Sequence, residues 1–135
     1  METWYVDAGQ VFEDCRTAKI AIVNPHTKEQ IIQTIDVPRR GDYEQQIAFA
    51  EAKAILEGMK LLAGRGVEFA AILNDHAGVV HKIRNPDTEN PDLHLAERTL
   101  RKCIDKAGRR PGWKVLWTRR EGNAAHEGTQ KPSCW

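Results

Sequence analysis

Three carboxylates stand where their chemistry is open to use. Asp7 closes a β-rich run, WYVDA at 4–8, and Asp75 follows directly on the apolar run FAAILN at 69–74. Glu51 lies at helical steps from Ile47, Ile55 and Gly58, so it shares a face with apolar residues. A carboxylate on a core-facing stripe costs free energy unless it finds a partner. Two aspartates at the carboxyl ends of neighbouring parallel strands would repel one another, and a divalent cation relieves that repulsion. Each residue also has a plainer reading. Either aspartate alone can start a turn or cap the next element. Glu51 alone can reach water from the helix edge, or pair with Lys19 or Arg84. The three together are what point to metal chemistry.

Positioning them is the task of an α/β arrangement. Runs at 4–8, 18–24 (AKIAIVN) and 30–37 (QIIQTIDV) are β-rich and joined by short links, as in an antiparallel meander. A loop follows at 38–42 (PRRGD), and then the period changes. Apolar residues recur at three- and four-residue steps over 43–63, which predicts an amphipathic helix ended by Gly64-Arg65-Gly66. The run at 67–74 is apolar without alternation, as in a strand buried on both faces. A short helix is expected at 76–84, a loop at 85–92, a helix at 93–107 and a last strand at 113–118. The order β-β-β-α-β-α-α-β places strands one, four and five parallel and strand two antiparallel. The expected fold is a mixed five-stranded sheet, order 3-2-1-4-5, flanked by helices.

The 135 residues make one domain, 1–135, large enough to bury a core without a disulfide framework. The 20 Lys and Arg against 19 Asp and Glu give a net charge of +1, which excludes a polycationic tail and leaves room for a local basic patch. Cys15, Cys103 and Cys134 match no zinc or CxxC spacing and read as free thiols of a reducing compartment. No membrane span or signal segment is evident, so the expected location is the cytoplasm, or the nucleus in a eukaryotic host.

Four segments in order resemble ribonuclease H type 1. They are VDAG at 6–9 with AKIAIV behind it, AEAKAILEGMKLL at 50–62, ILNDHAGVV at 72–80 and WTRREGNAAHE at 117–127. The last is similar to the plant and archaeal branch, in which a strand leads into RExNxxAD or RExNxxAH. The resemblance covers almost the whole chain and implies a ribonuclease H-like fold and a metal-dependent endonuclease that cuts the RNA strand of RNA–DNA hybrids. In that chemistry two Mg²⁺ ions (Mn²⁺ is an alternative) about 4 Å apart activate a water and stabilise the departing 3′ oxygen. The resemblance makes Asp7 the bridging ligand and has Glu51 and Asp75 each help hold one ion. It also places Glu51 near the 2′-hydroxyl.

A fourth ligand has two candidates. Counting from Arg120 and Asn123 gives Glu127, the harder ligand; matching the Ala-His ending gives His126, which suits Mn²⁺ or a proton shuttle. An exposed loop pair is the plain alternative for both. Glu127 is the expectation here and His126 its alternative. Arg119, Arg120, Asn123 and Gln46 are the candidates for nucleic-acid contact.

The chain also departs from the family. Ile47 and Ala48 stand where relatives often carry Asn, and Asp75-His76-Ala77 stands for Asp-Ser-Gln. A basic helix-loop insertion is not evident, and a final helix is expected to be short or absent. Two rivals therefore stay open: a catalytically weak ribonuclease H-like module that binds nucleic acid or protein, and a DNA-cutting relative of resolvase or integrase type.

Overall fold

The computed structural model describes residues 1–9 and 16–129. Cys15 and Cys134 lie outside the described residues. Five strands form one sheet in the order β3-β2-β1-β4-β5, where β1 is Glu2–Ala8, β2 Thr17–Asn24, β3 Glu29–Asp36, β4 Ala70–Asn74 and β5 Trp113–Trp117. The β1–β2 and β2–β3 pairs are antiparallel; β1–β4 and β4–β5 are parallel. The expected fold class, strand order and strand directions all hold. Three α-helices accompany the sheet: α1 is Tyr43–Gly64, α2 Ala77–Arg84 and α3 Glu97–Gly108. Among the described residues, no helix is long and apolar enough to cross a membrane.

Helix α1 positions the site. Asp42 caps it, its side chain accepting from the Gln45 N–H at 2.9 Å. Its buried face carries Ala48, Ala50, Ala52, Ala54 and Gly58, small residues that let the helix lie close on the sheet. A Cβ added at Gly58 would meet Val6 Cγ1 at 3.0 Å. Ile55, Leu56, Met59 and Leu62 fill the remaining volume against Trp4, Ile20, Ile22 and Ile72, all essentially buried. This packing fixes the height of Glu51 relative to the end of β1.

Boundaries differ from expectation where local hydrogen bonds compete. The fourth strand starts at Ala70 rather than at 67. Val67 is consumed in closing α1: its N–H donates to the Leu62 carbonyl and the Gly66 N–H to Ala63, with Gly66 at φ +67°. That is a Schellman closure, and it needs the left-handed residue that Gly supplies. His76 lies outside α2 and caps it, Nδ1 accepting from the Val79 N–H at 3.1 Å. Pro91–Leu93 forms a separate 3-10 turn capped by Asn90, so α3 begins only at Glu97.

Candidate active site

The carboxyl ends of β1 and β4 lie side by side, because the strands are parallel neighbours in register Tyr5↔Leu73. Asp7 is two residues beyond Tyr5 and Asp75 two beyond Leu73, so both carboxylates reach the same edge. A 3-10 turn, His126–Thr129, closes over that edge. Gly9 makes the approach possible: a Cβ there would lie 2.5 Å from the Thr129 carbonyl oxygen. Asn123 fixes the turn from below. Its amide donates to the Val6 carbonyl at 3.0 Å, and its oxygen accepts from the Ala125 N–H at 2.9 Å.

Asp7, Asp75 and His126 converge, each offering a ligand atom within 4.8 Å of the others. His126 Nδ1 lies 3.1 Å from Asp7 Oδ2, and the Thr129 hydroxyl donates to the same oxygen at 2.9 Å. Glu51 stands beside them but is turned to the scaffold. Its Oε1 accepts from the Ala8 N–H at 2.7 Å and from the Asn74 amide at 3.4 Å. Asn74 is fully buried and also donates to the Val6 carbonyl at 3.1 Å. Asp7, Glu51 and His126 line a cavity of about 500 Å³ together with Tyr43, Ile47 and Arg120.

The electrostatics of this edge ask for a cation. Burial pushes the Asp7 carboxyl up, and the neighbouring charge of Asp75 adds to it; hydrogen bonds from Thr129 and His126 pull the other way. Burial pushes Glu51 well above the usual carboxylate range, and the charges of Asp7 and Asp75 raise it further. Burial likewise lowers His76, in keeping with its accepting role at the cap. Among the described residues, Asp75 Oδ2 is the buried side-chain oxygen left without a hydrogen-bond partner. Such an orphan carries a desolvation cost that a bound ion would remove. The two carboxylates are hard oxygen donors that suit Mg²⁺ or Mn²⁺, and the imidazole beside them favours Mn²⁺ of the two. The residues present therefore fit a divalent metal, with Asp7 and Asp75 as the core of the set and Glu51 beside them.

Of the other expected residues, Arg120 lines the cavity while Arg119 is exposed at the head of the turn Arg120–Gly122. His126 is at the site; Glu127 is exposed and outside the converging group. The buried Ala125 and Asn123 set this register, aiming His126 inward and Glu127 outward. The structure gives Asn123 a scaffold place instead of an open one, since both ends of its amide are satisfied within the protein. Gln46 likewise spends its amide on the Pro38 carbonyl at 3.2 Å. Thr129, Asn74 and Tyr43 were missed by sequence reasoning. Asn74 alone left a signal, as an amide ending a buried apolar strand, where it must find partners.

The family profile described as "Reverse transcriptase-like" matches residues 8–127. The chain belongs to this family. Its fold is that of ribonuclease H type 1. Solved structures of similar fold include RNase H1 from Halobacterium salinarum NRC-1, at 17% identity, with 95% of this chain and 92% of that one covered and a TM-score of 0.62. The amino-terminal RNase H domain of a Mycobacterium tuberculosis protein gives 15% identity, 96% and 91% coverage and a TM-score of 0.61. LC11-RNase H1, isolated from compost by a metagenomic approach and solved in complex with an RNA/DNA hybrid, gives 14%, 96% and 93%, and 0.68. No curated protein sequence matches the chain.

Proposed function

We propose that the chain is a divalent-metal-dependent ribonuclease H that hydrolyses the RNA strand of RNA–DNA hybrids. The observation that carries this is the convergence of Asp7, Asp75 and His126 at the β1–β4 edge, with Asp75 Oδ2 buried and unpartnered. A similar fold solved with a hybrid bound supports the choice of substrate. Asp7 and Asp75 would hold the metal, with Glu51 joining them by releasing the Ala8 N–H. Bound divalent ions, two in this reading, supply a polarised water and neutralise charge at the phosphate. The protein's own groups do the rest. Arg120 reaches into the cavity and binds a phosphate oxygen. Thr129 and His126 hold Asp7 in place, and the His126 imidazole can take up and return a proton at the cavity mouth. In the net reaction water adds to phosphorus, and the 3′ oxygen leaves with a proton.

A DNA-cutting or weakly catalytic role is the second reading. Ile47 favours it, since it lines the cavity at a position where relatives often present an amide. The deciding assay uses matched RNA–DNA hybrid, duplex RNA, duplex DNA and a four-way DNA junction, each with Mg²⁺ or Mn²⁺. The hybrid should be cut and duplex DNA left intact. Replacing the ribonucleotide at the cleavage step by deoxyribose should abolish cutting there, because only RNA offers the 2′-hydroxyl. Equal cleavage of the all-DNA duplex would contradict the proposal and put the second reading ahead.

A further inference from the structure

Helix α3 divides its outer charges into two lines. Glu97, Arg101 and Asp105 follow one another at i, i+4 steps and alternate in sign, with Arg101 paired to Glu97 at 3.3 Å. Arg98, Lys102, Lys106 and Arg109 make a second line at steps of four, four and three, with no acid on it. Arg98, Lys102 and Arg109 are exposed and Lys106 half-exposed. Among the described residues none of the four forms an ion pair. Lys106 and Arg109 suit the negative end of the helix dipole, but Arg98 stands in the first turn, where the dipole disfavours a cation, and is followed at i, i+4 by a like charge, Lys102. The line lies along the seam with α1. Cys103 on α3 donates to the Ala52 carbonyl of α1, and Lys106, Lys53 and Lys60 all act electrostatically on its thiol. Lys53 and Lys60 share one acid, Glu57, so the seam stays positive on a chain of net charge +1.

We propose that this cationic line is a docking surface for the phosphate backbone of a nucleic-acid duplex, separate from the catalytic cavity. None of its residues lines that cavity. Eleven residue steps from Arg98 to the C-cap Arg109 span about 16 Å, roughly five base-pair steps at 3.4 Å. That is long enough to meet several phosphates of one strand. Charge complementarity selects a polyanion, and a row of regularly spaced cations suits a regular one. Contacts to phosphate carry no sequence information, so the line should hold hybrid and duplex DNA alike. It stands independently of the reading given under Proposed function.

The test is equilibrium binding of labelled hybrid and duplex DNA, without divalent metal, from 50 to 200 mM KCl. The variant R98Q/K102Q/K106Q/R109Q should raise Kd at least tenfold at about 100 mM salt, and equally for both duplexes. Each lost phosphate contact flattens the slope of log K against log salt by about 0.9, so loss of all four should make the slope shallower by about 3.6. Its kcat at saturating hybrid should stay that of the parent. The charge-keeping pair R98K/R109K should behave as the parent, which guards against a folding defect, and R101Q on the neighbouring line should change neither Kd nor slope. An unchanged slope overturns the proposal, as does a loss confined to the hybrid. So does a dependence on the four residues seen only with anionic vesicles or poly-glutamate. Failure of the parent to cleave hybrid counts against the proposed function instead.

Discussion

Glu51→Gln is expected to make the metal-free protein more stable and the enzyme nearly inactive. In the native fold Glu51 is buried among like charges, and its carboxyl is pushed well up by burial and by Asp7 and Asp75. At neutral pH the folded state must either carry that charge or hold a proton that the unfolded chain has released. Glutamine removes the penalty. Its oxygen can still accept from the Ala8 N–H, and its NH₂ faces carboxylates that accept. Relief of that penalty should raise the Tm of the metal-free protein. Cleavage should fall at least about a thousandfold, since several kcal/mol of charge stabilisation in the transition state go with the lost ligand. Thermal melts in EDTA and single-turnover hybrid cleavage check the two halves. A variant both less stable and fully active would contradict the assignment of Glu51.

Stability without metal should fall as pH rises from acid toward neutral, and divalent metal should reverse the fall. Asp7 and Glu51 both titrate higher in the folded protein than in the unfolded chain. Between the unfolded and the folded pKa values the native state holds more protons, so the stability change with pH is negative through that window. The contribution is fully present below the window and lost once pH has passed the raised values. Metal binds the ionised form, so Mg²⁺ or Mn²⁺ should raise Tm most above the window. At a hundred times Kd the gain is about 2.7 kcal/mol. In Glu51→Gln the metal-free profile should be flatter than in the parent. Melts from pH 4.5 to 8, with EDTA or with 5 mM metal, provide the measurement. A parent profile that rises through the window and ignores metal would go against a site built on repelling carboxylates.

The sheet was legible because its evidence is periodic. Meander runs, a 3.6-residue helix and two apolar strands leave few topologies once crossovers are right-handed. That Asp7, Asp75 and Glu51 come near one end of the sheet was legible for the same reason, since two strand ends and one helix face are positions a period can place. What escaped depends on register in short turns. Hard-ligand chemistry favours Glu127, but the buried Ala125 and the Asn123–Ala125 bond decide which neighbour points inward, and they choose His126. Asn123 and Gln46 carry amides able to read nucleic acid, yet both are spent on backbone carbonyls that only tertiary packing brings near. Thr129 meets Asp7 across 122 residues of sequence, a contact no local pattern announces.

The most direct test of the account is whether the converging carboxylates bind metal. Crystals of the parent soaked in millimolar Mn²⁺ and measured at the manganese absorption edge should show anomalous density between Asp7 and Asp75. His126 should lie at its margin, Glu51 should have turned from the Ala8 N–H toward it, and Glu127 should remain in solvent. No density at the β1–β4 edge, or density held by Glu127 away from Asp75, would contradict it.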